Sequence, residues 1–390
     1  MSPAVARHAA FISTRLALLV TGYAALTLFP AHPVESWMGL SFPDHNWIDG
    51  WVRWDSFWYE SIVDAHPRFV PTYLSNANFF PFYAWVSWLA ALPFRLWLDR
   101  EHAFFIGALL VASTSFVLGL KAVERFARTV AGDAVAARAM WLIALFPFSF
   151  FFTAVYADAL YFCLCAWSLT LAMERRWPVA CLLAAMAMTT RIPGMALVPA
   201  LGVEYLRQNN WRMGSWQRAL TLLSILAIGP IVIAAYYQWR YGNPLEFLHA
   251  RQVGWNRASG VAGYVRDFNY FFEAPILNCG GAADCIKEFA PTRALLGVTY
   301  LLLLPLSIGV VLSGARRLGV MATTFALVSI GLALPNGFDG VGRFTLVLFP
   351  FFVSLAILVR NRAAFLALCA ASLPLLLLFF AQFARWRQVL

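Results

Sequence analysis

Long apolar runs separated by short polar stretches dominate the chain. About twenty apolar residues cross a bilayer as a helix, because a helix satisfies its own backbone groups in hydrocarbon. On that rule, spans are expected near 12–29, 103–123, 139–156, 159–174, 177–190, 193–207, 219–239, 292–313, 318–334, 344–359 and 363–382. The pair 177–190 and 193–207 reads as two short helices joined at Thr190-Arg191-Ile192-Pro193-Gly194, with one helix broken at Pro193 as the alternative. The segment 79–98 is also apolar enough to span, but counting it would put three consecutive basic loops on the wrong side. It is therefore expected to lie in the outer interface, a depth that suits Trp85, Trp88 and Trp97. The pattern leaves two long loops, 30–102 and 240–291, and no internal repeat or flexible linker. The chain (1–390) reads as a single all-α polytopic membrane domain with about eleven spans and interfacial helices in its first loop.

Composition supports that reading. Of 390 residues, 61% are hydrophobic and 12% charged, where soluble domains run near 45–50% and about 25%. So few charges cannot cover a soluble surface, which excludes an ordinary soluble enzyme, a disordered chain and a fibrous repeat. The net charge of +10 gathers in short loops: Arg125–Arg138, Glu174–Arg176, Arg207–Arg218, Arg316–Arg317 and Arg360–Arg362. Such loops mark the cytoplasmic side and sit beside membrane lipid headgroups. No nucleic-acid-binding motif is visible, so nucleic acid is not an expected partner. Arg7 and Arg15 precede the run Leu16–Phe29 with no small-residue cleavage site after it, so a retained first span is expected rather than a signal peptide. The arginine bias over lysine suggests a GC-rich bacterial genome. The expected setting is a bacterial inner membrane with the long loops in the periplasm, or the lumenal side of the endoplasmic reticulum in a eukaryote.

The ionisable residues narrow the chemistry. Spans from 139 onward are almost free of charge apart from Glu204 near one end. A charge at the helix centre costs roughly 2.5–3.5 kcal/mol on insertion scales, and a proton-coupled transporter would need a set of carboxylates there. Asp158, Arg191 and Arg343 instead stand at the outer ends of spans, on the same face as Asp55 of the first loop. Carboxylates and arginines at that face suit transfer of a group carried on a lipid phosphate. A carboxylate deprotonates the acceptor hydroxyl, and arginines hold the leaving phosphate. Nucleotide sugars are not normally present outside the cytoplasm, and no nucleotide-binding loop is seen. Each residue also has a plainer reading. The helix around Asp55 could be a surface anchor, Asp158 a turn or cap residue, and both arginines headgroup contacts. A flippase for lipid-linked saccharides and a structural subunit are the rival functions. His66 and His249 are weaker candidates, and His66 precedes Pro67. No metal-ligand pattern and no cofactor motif occur. Cys279 and Cys285 lie in the second loop, where a disulfide and two free thiols are both open.

Four segments carry a family resemblance. Arg53-Trp54-Asp55-Ser56-Phe57-Trp58-Tyr59 with Asn78-Phe79-Phe80-Pro81-Phe82-Tyr83 resembles the RWD-xx-WY and FFP-x-Y pattern of the PIG-V-like mannosyltransferases, relatives of GPI mannosyltransferase II. Phe146-Pro147-Phe148-Ser149-Phe150-Phe151 through Tyr156-Ala157-Asp158, Thr190–Gly194, and Gly342-Arg343-Phe344 with Leu348-Phe349-Pro350 resemble its later segments, in order. Asp158 stands where that family usually has Glu, and Ile192 separates Arg191 from Pro193. The resemblance implies a GT-C glycosyltransferase fold with an extracytoplasmic active site. It implies a polyprenyl-phosphate-linked sugar donor, with mannose as the sugar, and a lipid, glycan or protein acceptor. By position, Asp55 and Asp158 become the catalytic acids and Arg343 and Arg191 the donor-phosphate contacts. Arg53, Trp54, Tyr59, Tyr83 and Tyr156 become substrate contacts.

Overall fold

The computed structural model describes residues 2–29, 41–63, 75–253, 260–273, 283–387 and 389. Among these the chain is helical throughout. In order the helices are α1 (Pro3–Leu28), α2 (Asn46–Asp49), α3 (Asp55–Val63), α4 (Phe82–Ala91), α5 (Arg100–Ala131), α6 (Asp133–Leu145), α7 (Asp158–Met173) and α8 (Trp177–Met188). They continue with α9 (Leu197–Gln208), α10 (Trp216–Tyr241), α11 (Glu246–Val253), α12 (Val261–Phe268), α13 (Ala283–Ala333), α14 (Val341–Leu346), α15 (Phe349–Leu358) and α16 (Arg362–Ala384). Most expected spans fall on helix; 139–156 is helical only as far as Leu145, and 344–359 is broken between Leu346 and Phe349. The protein is a multi-pass membrane protein. Helices α1, α5, α10, α13 and α16 are each long and apolar enough to cross a bilayer. Helix α13 is interrupted at Gly319, whose φ of 79° breaks it into two spans, a backbone state that glycine alone adopts freely.

The remaining apolar helices are short, and each break has a local cause. Proline lacks an amide hydrogen and clashes with the preceding turn. Pro147 follows the end of α6, so the run 139–156 is not one span. The helix stops at Leu145 and a 3₁₀ turn, Ser149–Phe152, replaces its last third. The pair 177–190 and 193–207 is two helices, α8 and α9, joined by the 3₁₀ turn Ile192–Ala196. Segment 79–98 forms the ten-residue α4 and a 3₁₀ turn, Leu92–Leu96. Helix α4 crosses α5 where Gly107 leaves room only for the Ser87 and Ala91 backbone.

Helix α7 lies at the centre and is buried on nearly every side. Small residues let its neighbours approach closely, as membrane helix packing requires. A Cβ at Gly119 of α5 would sit 2.5 Å from the Phe162 ring, and one at Gly229 of α10 would sit 2.8 Å from the Ala185 carbonyl of α8. The two ends of the bundle differ in charge. One end holds the arginine-rich loops, tied by the ion pairs Arg7–Glu124 and Arg125–Glu174. The other holds α2–α4 and the turns between the short helices. Cys279 and His66 lie outside the described residues, and the side chain of Cys285 is not described, so the proposed disulfide falls there too. Cys163 and Cys165 are buried free thiols in α7.

Candidate active site

The site begins with a turn that aims one carboxylate. Arg53 is fully buried and works as a clamp. Its guanidinium donates to the carbonyls of Ala384 (2.7 Å), Asp49 (2.6 Å) and Val52 (2.7 Å) and pairs with the Asp49 carboxylate. Ser56 accepts from the Arg53 amide (3.0 Å) and donates back to its carbonyl (2.8 Å). Between them Trp54 is held at φ 50°, a left-handed state that costs a bulky residue about 1–3 kcal/mol. Its ring sits edge-on to Trp386, with centroids 5.5 Å apart. The turn docks on the segment after α6. The Val155 amide donates to the Trp51 carbonyl (3.1 Å), and the Asp55 amide donates to the Tyr156 hydroxyl (3.3 Å). Asp55 therefore opens α3 with its carboxylate turned toward the start of α7.

Four charged side chains meet there. Arg343 of α14 donates to Asp55 Oδ2 (2.9 Å) through one terminal nitrogen and to Asp158 Oδ2 (3.0 Å) through the other. Arg191, between α8 and α9, pairs with Asp158 Oδ1. The chain Asp55–Arg343–Asp158–Arg191 alternates in sign, so each buried charge is compensated. Arg343 also stacks over Tyr156 (4.6 Å) and Phe151 (4.9 Å), and Arg191 lies over Phe344 (5.7 Å). Burial raises the Asp55 carboxyl above its ordinary value. Arg343 and Arg191 oppose that shift, and the Asp158 charge adds to it.

This chain forms one wall of a cleft of about 180 Å³. Asp55, Tyr59, Arg191 and Arg343 line it, joined by Asn78, Phe79 and Phe80 of the first loop and by Thr190, Ile192 and Pro193. Arg251, Asp339, Gly340 and Phe344 complete the lining. Asp158 and Tyr156 lie just behind, fully buried, and hold the arginines. Arg53, Trp54 and Tyr83 are off the cleft. The first two build the turn, and Tyr83 donates to the Ala108 carbonyl (3.0 Å). His249 pairs with Glu246 away from the cleft. Sequence reading missed Arg251 and Asp339. Asp339 sits four residues before Arg343 in a glycine-rich segment already singled out, whereas nothing local marks Arg251.

The cleft is recessed. Counting about 1.5 Å per residue from the Gly119–Phe162 crossing, the tip of α5 stands roughly 20 Å beyond Asp158. The short helices α6–α9 form a floor, and the long helices rise past it. Among the described residues no group of three His, Cys, Asp or Glu gathers to hold a metal ion.

No family model matches the sequence, and no curated protein matches it. Solved structures do. An oligosaccharyltransferase of Archaeoglobus fulgidus, in complex with zinc and sulfate, superposes with a TM-score of 0.51 at 14% identity, covering 95% of this chain and 53% of that one. The archaeal oligosaccharyltransferase from the same organism, in complex with an inhibitory peptide and a dolichol-phosphate, gives a TM-score of 0.46 at 13% identity, covering 97% and 56%. The chain thus spans about half the length of the solved structures it matches. At this identity the first likeness speaks for the fold alone: the chain has the GT-C glycosyltransferase fold.

Proposed function

We propose that this protein is a membrane glycosyltransferase that moves a sugar, mannose, from a polyprenyl-phosphate-linked donor to an extracytoplasmic lipid, glycan or protein acceptor. The observation that carries the reading is the bridging of Asp55 and Asp158 by Arg343 at the wall of the recessed cleft. The donor is a phosphodiester with one negative charge. Its phosphate competes with Asp55 for Arg343, and Arg191 adds a second guanidinium on the same wall. Asp55, released from its ion pair, takes the proton of the acceptor hydroxyl. The hydroxyl oxygen bonds to the sugar C1 while the C1–phosphate oxygen bond breaks, inverting the anomeric carbon. The electron pair leaves with the polyprenyl phosphate, whose charge the two arginines stabilise. Asp158 touches neither reactant in this scheme; it fixes both guanidinia. The choice of mannose rests on the motif resemblance around Asp55, Asp158, Arg191 and Arg343. Location of the cleft on the periplasmic side rests on the arginine-rich loops at the opposite end.

A saccharide flippase needs a polar path through the bundle. The floor beneath the cleft is instead α7, whose described faces are buried among apolar neighbours. The test supplies membranes holding the protein with polyprenyl-phosphate sugars of different identity, each radiolabelled, and analyses the products. A new labelled lipid, glycan or protein from the mannose donor supports the proposal. Label from a different sugar replaces mannose, and label that changes leaflet without changing its chemical carrier overturns the enzyme reading.

A further inference from the structure

We propose that the arginine-rich end carries a second ligand site, a pocket that holds the phosphate headgroup of an anionic phospholipid. A cavity of about 370 Å³ opens where α13 passes the end of α15, lined by Ser313, Gly314, Arg316, Arg317, Leu358 and Arg360. The close approach of the two helices shapes it. A Cβ at Gly314 would fall 2.0 Å from Ser354 Oγ, so only glycine lets α13 lie against α15 here. The arginines are held ready. Arg360 donates from Nε to the Ile357 carbonyl (3.4 Å), and Arg138 of α6 donates from Nε to the Ala356 carbonyl (3.1 Å). Each guanidinium is thus anchored by its inner nitrogen and keeps its two terminal nitrogens for a ligand.

Several other arginines at the same end are already neutralised. Arg7, Arg125, Arg128 and Arg207 are each paired with a carboxylate. Among the described residues, Arg138, Arg316, Arg317 and Arg360 have no carboxylate partner, and Arg138 and Arg360 repel each other. Three like charges around one concavity, with Arg138 close enough to add its repulsion, are unfavourable until an anion enters. Phosphate suits them, since a guanidinium binds it through two parallel hydrogen bonds. The ligand is a lipid and not a soluble anion because the rim is greasy. Leu312 of α13 is 53% exposed and Leu358 of the short apolar α15 is 46% exposed, both beside the pocket. A headgroup in the arginine cluster places its acyl chains along these side chains, as basic pockets between membrane helices do for acidic lipids.

The experiment uses the full-length protein in mixed-lipid nanodiscs with a photoreactive phosphatidylglycerol carrying its diazirine near the headgroup, and maps the labelled peptides. Labelling is expected on the segments 310–320 and 355–362. Excess phosphatidylglycerol should compete, and phosphatidylcholine should not. The double variant Arg316→Gln/Arg360→Gln should bind about 30-fold more weakly, the worth of two arginine–headgroup attractions. Both side chains are exposed, and unchanged labelling of other membrane-facing segments serves as the folding control. Equal competition by phosphatidylcholine, or equal labelling of the variant, overturns the site. Competition by inorganic phosphate as strong as that by the lipid overturns the lipid assignment.

Discussion

Arg343 is the residue on which the site turns. Its planar guanidinium spans two carboxylates while its face rests on Tyr156 and Phe151. A lysine ammonium is a point charge and cannot do both. Arg343→Lys is therefore expected to lose about 10²–10³-fold in sugar transfer, the usual loss for one transition-state donor, at unchanged membrane insertion. A variant within a few-fold of wild type in a matched transfer assay would remove Arg343 from the chemistry. Asp55 sets the pH dependence. Its carboxyl is raised by burial against the pull of Arg343, and it acts as a base only when deprotonated. Activity should be full above this raised value and fall as pH drops through it, with the inflection above the ~3.9 of an ordinary aspartate. Arg343→Gln should move the inflection further up, because the opposing cation is gone; kcat/KM against pH measures both. The importance of Asp55 was legible in its motif, but the job of Arg53 beside it was not. Its carbonyl partner at Ala384 is 331 residues away, and no local pattern reports such a contact.

Among the elements, the broken end of α6 shows how a charge inside a span can be structural. Arg15 sits near the middle of α1, not before it, because the helix starts at Pro3. It is buried and donates to the Ser149 carbonyl (2.8 Å), Ser149 Oγ (2.7 Å), Thr153 Oγ1 (3.1 Å) and the Ala144 carbonyl (3.2 Å). These groups lie where Pro147 ends the helix, and the Ser149 and Ala144 acceptors are buried away from water. Arg15→Leu should remove four hydrogen bonds, leaving the Ala144 carbonyl only its bond from Ser149 Oγ (2.6 Å), and lower stability by about 1–3 kcal/mol, read as an earlier unfolding midpoint in detergent; an unchanged midpoint would mean the acceptors find other partners. The break could be anticipated from Pro147, but average hydropathy carried the span through to 156. The role of Arg15 was hidden because the apolar count begins at Leu16, after it, while the helix begins twelve residues before it. The turn between α8 and α9 was readable, since Pro193 and Gly194 interrupt the pattern at the point where Arg191 is needed.

At the scale of the whole molecule, charge is divided between two ends and the cleft is sunk between long helices. The division was legible from the short basic loops. The depth was not, because it arises from unequal helix lengths that matter only once the helices are packed. If the arginine-rich end is cytoplasmic, a cysteine placed at exposed Arg317 should react with an impermeant maleimide only in inverted vesicles, and one at Asn243, beyond α10, only in intact cells. The reverse labelling would put the cleft on the cytoplasmic side and end the case for an extracytoplasmic acceptor. The most direct test of the central claim is transfer of radiolabelled mannose from polyprenyl-phosphate-mannose by membranes containing wild type or Asp55→Asn at matched expression. The account predicts a labelled product with wild type and a loss of about 10²–10⁴-fold in the variant, the range for a general base. Equal product from both would contradict it.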